Sequence, residues 1–600
     1  MIAKRSSRLL MGILLGMGMF LGFIELVAAT RTFLADQTDV TPLATPAPDT
    51  PSVSQIGYRP QEAKRGVLLV TGTPSITTFN VLTDAQAVFT GTLQDGGATW
   101  GLNALVADFS SLETQAYCNV GVGSLTSTHF YINPEVYRLL DPPDKITHGA
   151  VFPEAIFDSF FAYQRSIAPD WNLPVYTCTV TGEEPVTGTT WSAPGGWNDA
   201  ASHDKETVSI AWTTQLLALA LDRNRAYFDA RPETRQKLLD EVQWGAEWLL
   251  KMQDGDGGML LAVKPPPPER RVLGNKGTGV TAKATAAFAT AAQVFANENP
   301  VTYTRYLSAA ERAWGWVQTY PNQFIPPTLA SDCDAGKYPS YWTGKSPSKI
   351  LATVELYYAF RNTDPATARN YLTQAISYTL DGRFYNCAWR DDSVGQTTDF
   401  RNAAIEEQTI IALARLYQAP DTTSEVKSHI SNELRGWHRT CVKNKISTPY
   451  GIADVELLTP WLGLNGWALQ LGMDLLVAGE ALDDGDMIRT GRDHVHWVVG
   501  NNPFATSYVV GVGERYPTEV WYNRPLTASI GAVLPGILDE GQDDIPDDEV
   551  ANPSSDRWKV AEPVVWYTAA FLYDLAWSDN YVPPTLKVTY LPIILKRFEP

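Results

Sequence analysis

Cationic side chains are scarce in this chain: 47 Lys and Arg stand against 66 Asp and Glu in 600 residues, a formal net charge of −19. That balance argues against nucleic acid and anionic membrane surfaces as partners and favours a neutral ligand. Cysteine is scarce too. Cys118, Cys178, Cys333, Cys387 and Cys441 are scattered, so no CxxC or Cys/His cluster marks a structural zinc, and one or two disulfides would leave at least one thiol over. A self-similar period is also missing, which argues against an open α-solenoid. Beyond the N-terminus no apolar run is long enough to span a bilayer; the tail from Val582 to Pro600 is strand-like and too short.

What is abundant is apolar and aromatic. A hydrophobic content of 44% over this length predicts a large core and two or more domains. Nineteen Trp and 26 Tyr exceed what a core needs, and flat rings also offer faces on which sugars lie. Residues 1–29 combine a basic start (Lys4, Arg5, Arg8) with an apolar run broken by Glu25 and small residues at Val27 and Ala29. They read as a secretion signal or an uncleaved N-terminal anchor, and either sends the body out of the cytoplasm. Pro42, Pro46, Pro48 and Pro51 make residues 30–52 an extended linker.

Over 53–145 short apolar runs near alternation, such as Gly66 to Val70, Thr77 to Leu82, Tyr117 to Val122 and His129 to Ile132, predict an antiparallel β-sandwich. From 146 to 580 the period changes. Apolar residues recur at three and four spacing through about 207–222, 233–252, 281–297, 303–319, 348–361, 365–380, 402–418, 423–440, 465–482, 485–499 and 563–577, with hardly any strand pattern among them. One more helix near 153–166 makes twelve, the number an (α/α)6 barrel requires. Residues 581–600 are a C-terminal tail.

The stretch Gly195-Gly196-Trp197-Asn198-Asp199-Ala200-Ala201-Ser202-His203-Asp204-Lys205 leads into the helical pattern at Val208. It places Asp199 at a loop-to-helix junction, where a carboxylate stays ionised and suits activation of a water, or simply caps the helix. Gly-Gly-Trp-x-Asp-Ala with a lysine six residues after the Asp resembles the signature of family 9 glycoside hydrolases, the inverting cellulases. Further matches extend the resemblance over about 53–580. Val53 to Pro60, Ala107 to Ser111 and Ser127 to Phe130 resemble the immunoglobulin-like domain that precedes many such enzymes. Glu247 to Asp254, Thr281 to Phe295 and Glu355-Leu356-Tyr357 resemble barrel helices. Gly500 to Gly513 resembles the family's Asn-Pro-x-x-x-Ser-Tyr-Val block, and Ala561 to Ala570 resembles the segment that holds the general acid.

The resemblance implies an immunoglobulin-like sandwich followed by an all-α (α/α)6 barrel. It also implies inverting hydrolysis of a β-1,4-glucan or related β-glycan of the endoglucanase type, with Glu562 as acid and Asp199 as the water-activating carboxylate. Candidate substrate contacts are Trp197, Ser202, Arg524 and Tyr567. Departures are equally specific. Ser202 stands where the family has its usual base, and Tyr522-Asn523 stand before Arg524 in place of two histidines. Asp199 serves alone with Ser202 orienting the water, or Asp204 serves as base, or the chain binds glycan without efficient turnover, or it takes a different β-glycan. His494 and His496 read as core or interface. The zinc cluster and calcium-site residues of some relatives are replaced here, so no metal and no cofactor is expected. The expected protein is a secreted monomer, touching a membrane only if its N-terminal anchor is retained.

Overall fold

The computed structural model describes residues 50–581 except 73–74, 85, 139–153, 180–181, 267–268, 324–345, 386, 392–395, 398–407, 454–461, 522–523, 540–544 and 551–552. The N-terminal signal or anchor, nearly all of the linker, the domain boundary near 145, Cys333, Tyr522-Asn523 and the C-terminal tail beyond Tyr581 lie outside the described residues.

The first domain is a sandwich of two antiparallel sheets. One orders β1 (Arg65–Val70), β5 (Leu102–Asp108) and β4 (Gln94–Thr99); the other orders β3 (Gln86–Thr92), β2 (Thr78–Thr83), β6 (Ala116–Val122) and β7 (Leu125–Thr126), with β8 (Phe130–Ile132) pairing β6. Alternate residues face inward, as half-buried strands require: Phe79 and Val81, Cys118 and Val120, and Phe130 and Ile132 fill one core with Tyr58 and Phe109. Each of the four strand segments expected from the alternation coincides with a strand.

Among the described residues twelve main helical segments follow. They are α1 (154–164, with a wide central turn), α2 (Thr207–Arg223), α3 (Pro232–Met252), α4 (Thr278–Phe295), α5 (Pro300–Thr319), α6 (Ser346–Phe360), α7 (Pro365–Leu380), α8 (Thr409–Gln418), α9 (Ser424–Trp437), α10 (Asn465–Leu482), α11 (Gly485–Val498) and α12 (Val565–Asn580). The even-numbered helices form a closed inner ring: α2 packs on α4, α4 on α6, α6 on α8, α8 on α10, α10 on α12, and α12 returns to α2. The physical cause is visible along α2. Residues 207–221 are buried on every face, and a helix apolar all round is stable only when surrounded. Odd-numbered α3 and α5 bury one stripe each and lie outside. Small residues in α4, seven of them alanines, let its neighbours approach closely.

One expectation fails. The helical domain is not free of strands: β9 (Leu173–Thr179), β10 (Gly182–Trp191), β11 (Lys205–Glu206), β12 (Leu260–Lys264) and β13 (Arg271–Lys276) form a sheet ordered β10-β9-β13-β12-β11. Its β9–β13 pairing is parallel and joins segments nearly a hundred residues apart, a pairing that local alternation cannot reveal. This sheet carries the Asp199 loop.

The sandwich is riveted to the barrel. The Gln55 carboxamide accepts from the backbone N–H groups of Glu514 (2.8 Å) and Arg515 (2.9 Å) and donates to Arg515 O (3.1 Å). Glu62 pairs with Arg492 at 2.9 Å and accepts from the Tyr137 hydroxyl at 2.7 Å. His494 and His496 belong to this buried region. His496 packs edge-on against Tyr58 at 4.9 Å, and His494 Nε2 accepts from the Ala453 amide at 3.1 Å. Burial pushes both imidazoles down to about 4, so they stay neutral at ordinary pH. Cys387 and Cys441 form a disulfide, Cys178 is disulfide-bonded, and Cys118 is a free, buried thiol. No helix among the described residues is long and apolar enough to cross a membrane.

Candidate active site

The loop 199–204 lies where α2 enters the ring, and its shape follows from its backbone. Gly196 has φ +75°, and a Cβ there would stand 2.6 Å from the Trp248 ring, so only glycine fits. The loop closes on itself through the Asp199 amide, which donates to Asp204 O at 2.7 Å. Lys205 anchors its far end. The ammonium is fully buried, ion-paired with Asp170, and donates to the carbonyls of Ala193 (2.7 Å) and Gly195 (2.8 Å). The family lysine is therefore a rivet, held by its three acceptors although burial lowers it to about 8.

The loop reaches the opposite end of the sequence. The Ala201 amide donates to Glu562 Oε1 at 3.0 Å, and the Val565 amide at the head of α12 donates to Asp199 O at 2.9 Å. Asp199 and Glu562, 363 positions apart, thus stand side by side at the heads of the adjacent inner helices α2 and α12. Both are partly exposed. Asp199 Oδ1 accepts from the Ser209 hydroxyl, while Oδ2 makes no hydrogen bond among the described residues. Burial, and then the charges of Glu206, Asp204 and Glu562, push the Asp199 carboxyl up to about 7 against the pull of Ser209. A proton acceptor poised near neutrality is what general-base chemistry asks for.

The other expected site residues divide. Ser202 is exposed at the loop tip, its hydroxyl 3.4 Å from Asp204 Oδ2. Asp204 is turned to Lys264, whose ammonium lies 3.3 Å from it and 2.9 Å from Glu206 Oε1. Trp197 does not line a cleft. It is 0% exposed, its indole N–H bonds to Glu241 at 3.0 Å, and its ring packs on Gly245 and Phe161. Arg524 likewise directs its donors to the protein. Its guanidinium donates to Gln164 Oε1 (2.7 Å), Ala528 O (2.7 Å) and Phe160 O (3.2 Å) and covers the Tyr163 ring. Gln164 in turn exchanges bonds with Asn198 (2.9 and 3.0 Å), so Arg524 braces the residue before Asp199. Tyr567, 1% exposed, lies flat on Gly466 beneath the two acids, whose charges add to burial in driving its hydroxyl far above its usual range.

Sequence reasoning missed several neighbours. Trp467 and Trp566 are both half-buried with ring centroids 5.6 Å apart, and Trp566 stands edge-on to Tyr567 at 4.3 Å; their helical spacing made them look like core. Next to Ala561 opens a cleft of about 610 Å³ whose walls include Tyr508, Arg515, Tyr516, Asp548 and Arg557. Glu206 and Lys264 sit on paired strands β11 and β12, a contact that no local motif announces. Among the described residues no three His, Cys, Asp or Glu side chains converge as a metal-binding group.

An immunoglobulin-like domain on a six-hairpin helical barrel, with two carboxylic acids meeting at the heads of neighbouring inner helices, defines a glycoside hydrolase architecture. The chain belongs to glycosyl hydrolase family 9: that family's model matches residues 156–575, and the cellulase N-terminal ig-like domain matches 51–127. Among curated relatives, Endoglucanase D of Acetivibrio thermocellus is 23% identical over 90% of this chain and 84% of its own length. The xyloglucan-specific endo-beta-1,4-glucanase BoGH9A of Bacteroides ovatus is 22% identical over 81% of this chain and 84% of its own. A metagenome-derived family 9 endoglucanase structure superposes with a TM-score of 0.67 at 23% identity, covering 89% of this chain and 99% of that one. The Bacteroides ovatus GH9 structure gives 0.65 at 19% identity, with the same coverage.

Proposed function

We propose that this chain hydrolyses a β-1,4-glucan or related β-glycan with inversion, as an exported, monomeric endoglucanase-type enzyme. One observation carries the reading: the Ala201 amide bond to Glu562 Oε1, which holds the Asp199 loop against the acid. Glu562 gives its proton to the glycosidic oxygen as the C–O bond breaks. Asp199 takes a proton from a water that attacks the anomeric carbon from the opposite face, leaving a hemiacetal of inverted configuration. The unbonded Oδ2 of Asp199 supports its role as acceptor, and the Lys264 partner of Asp204 argues for Asp199 over Asp204 as base. Trp467 and Trp566 are the aromatic faces on which a sugar would rest. The apolar N-terminus and the Cys387–Cys441 disulfide support export.

The exposed Ser202 in place of a second acid favours one competitor, a glycan-binding protein with impaired turnover. Both are tested by assaying reducing ends released from soluble β-glucans by wild type, Asp199→Ala and Glu562→Ala. Turnover by wild type that is abolished in both variants supports hydrolysis. A wild type no faster than its variants, yet retarded in a glucan affinity gel, establishes the binding protein.

A further inference from the structure

A site with one aspartate where its family has two must obtain basicity from somewhere else. Glu206 occupies the N-cap position of α2 in extended backbone, but its side chain makes no capping bond. Three residues on, Ser209 donates to Asp199; the N-cap and third helical positions lie on one side of a helix start, which puts Glu206 on the Asp199 side of α2. Lys264 from β12 fixes the other side of Glu206 at 2.9 Å and bridges to Asp204 at 3.3 Å. The bridge is well shielded, with Lys264 only 8% and Glu206 16% exposed. Asp204 in turn accepts the Asp199 amide. These contacts gather Asp199, Ser209, Asp204, Lys264 and Glu206 into one cluster at the start of α2, with Glu562 and Tyr567 as the remaining ionisable groups facing Asp199.

We propose that Glu206 is a positioning acid that offsets the carboxylate absent at Ser202: its charge beside Asp199 strengthens Asp199 as proton acceptor, and Lys264 sets how strongly. In this role Glu206 acts through Asp199 rather than on the reacting atoms. Of the charges acting on Asp199 its is the largest, ahead of Asp204 and Glu562. A negative neighbour makes a carboxylate hold its proton more tightly and so makes it the better base. Lys264 works in the opposite direction by neutralising Glu206 and Asp204 together. This inference rests on Asp199 being the base.

The test is the acid limb of the pH profile of kcat/KM on a soluble β-glucan for wild type, Glu206→Gln, Glu206→Asp and Lys264→Met. In parallel, the Asp199 titration midpoint is read from the carboxyl infrared band that disappears in Asp199→Asn. Glu206→Gln should move limb and midpoint down by about 0.5–1 pH unit, Lys264→Met should move them up by a similar amount, and Glu206→Asp should stay near wild type. Opposite shifts from removing opposite charges are not produced by a merely structural role, which would alter the plateau and leave the midpoint alone. Should either variant fail to fold, the other still gives a signed shift. Midpoints unmoved in both, or moved in the same direction, overturn the inference. If Asp199→Ala turns over glucan like wild type, the reading of Asp199 as base fails instead, while the infrared midpoints still decide whether Glu206 and Lys264 tune it.

Discussion

The two ends of the helical barrel treat charge in opposite ways. At the end where the inner helices finish, Glu355 and Glu480 meet cations, whereas Asp574 of α12 and Asp474 of α10 lie buried in the core and burial pushes both carboxyls up. Glu355, fully buried on α6, accepts from Arg415 of α8 at 2.8 Å, and Glu480 of α10 pairs with Arg223 of α2 at 2.8 Å while accepting the Trp577 indole at 3.0 Å. At the end where the inner helices begin, Asp199 is partly buried among Glu206, Asp204 and Glu562, and no cation pairs with it among the described residues. A paired buried carboxylate needs its partner for the fold to persist. A crowded one is strained toward its protonated form, and that strain is what a proton-transfer site uses. One end is built for persistence and the other for reaction.

The sharpest way to break this comparison is to exchange the effects of the two ends. Glu562→Ala should lower kcat on soluble β-glucan by about 10²–10⁴ with little change in thermal midpoint; loss of folding would put the acid with the structural charges instead. Arg415→Met should do the reverse. It strands Glu355 in the core and should remove about 3–5 kcal/mol of stability in urea unfolding, leaving the pH profile of any remaining activity unmoved.

Stability against pH sharpens the contrast. The Asp199 carboxyl rises from its ordinary 3.8 to about 7 in the folded chain, so ionisation is disfavoured by folding. Its contribution is unchanged below about 4 and turns against the folded state as pH rises through about 7. Asp199→Asn should therefore stabilise at pH 8, by roughly 2 kcal/mol after allowance for partial exposure, and change little at pH 4. The neutral imidazoles of His494 and His496, lowered from 6.5 to about 4, carry the opposite sign: their contribution is intact above 6.5 and is lost as pH falls toward 4. Calorimetric scans of wild type and Asp199→Asn across pH 4–8 read both.

Smaller effects separate bracing from contact. Trp197→Phe deletes the indole bond to buried Glu241 and should cost about 1–2 kcal/mol of stability while KM for glucan stays within experimental spread; a raised KM would restore Trp197 to the cleft. Ser202→Ala removes only an exposed 3.4 Å contact and should change kcat less than about threefold, which steady-state rates would reveal.

The helices were largely legible because their cause is local. The apolar spacing through 207–222 and 465–482 corresponds to Thr207–Arg223 and Asn465–Leu482, since a buried helix writes its period into its own residues. Asp199 and Glu562 could be nominated from motif wording, and the structure brings them together. The surroundings of Trp197 and Arg524 were not legible, because a motif gives residue types but not the direction in which a side chain points. Both belong to the scaffold behind the loop, Trp197 through Glu241 and Arg524 through Gln164.

By itself the sequence determined the elements: a sandwich from alternation, an (α/α) array from the 3.6-residue period, and a short set of acids from family wording. Only the tertiary structure decided which charges are neighbours. The Asp199 loop reaches Glu562 across 363 positions, and Lys264 reaches Glu206 through a strand pairing that spans nearly sixty. Secondary structure is paid for within a few residues, whereas a carboxylate's basicity depends on every charge and every missing water within several ångströms, wherever in the chain those neighbours arise.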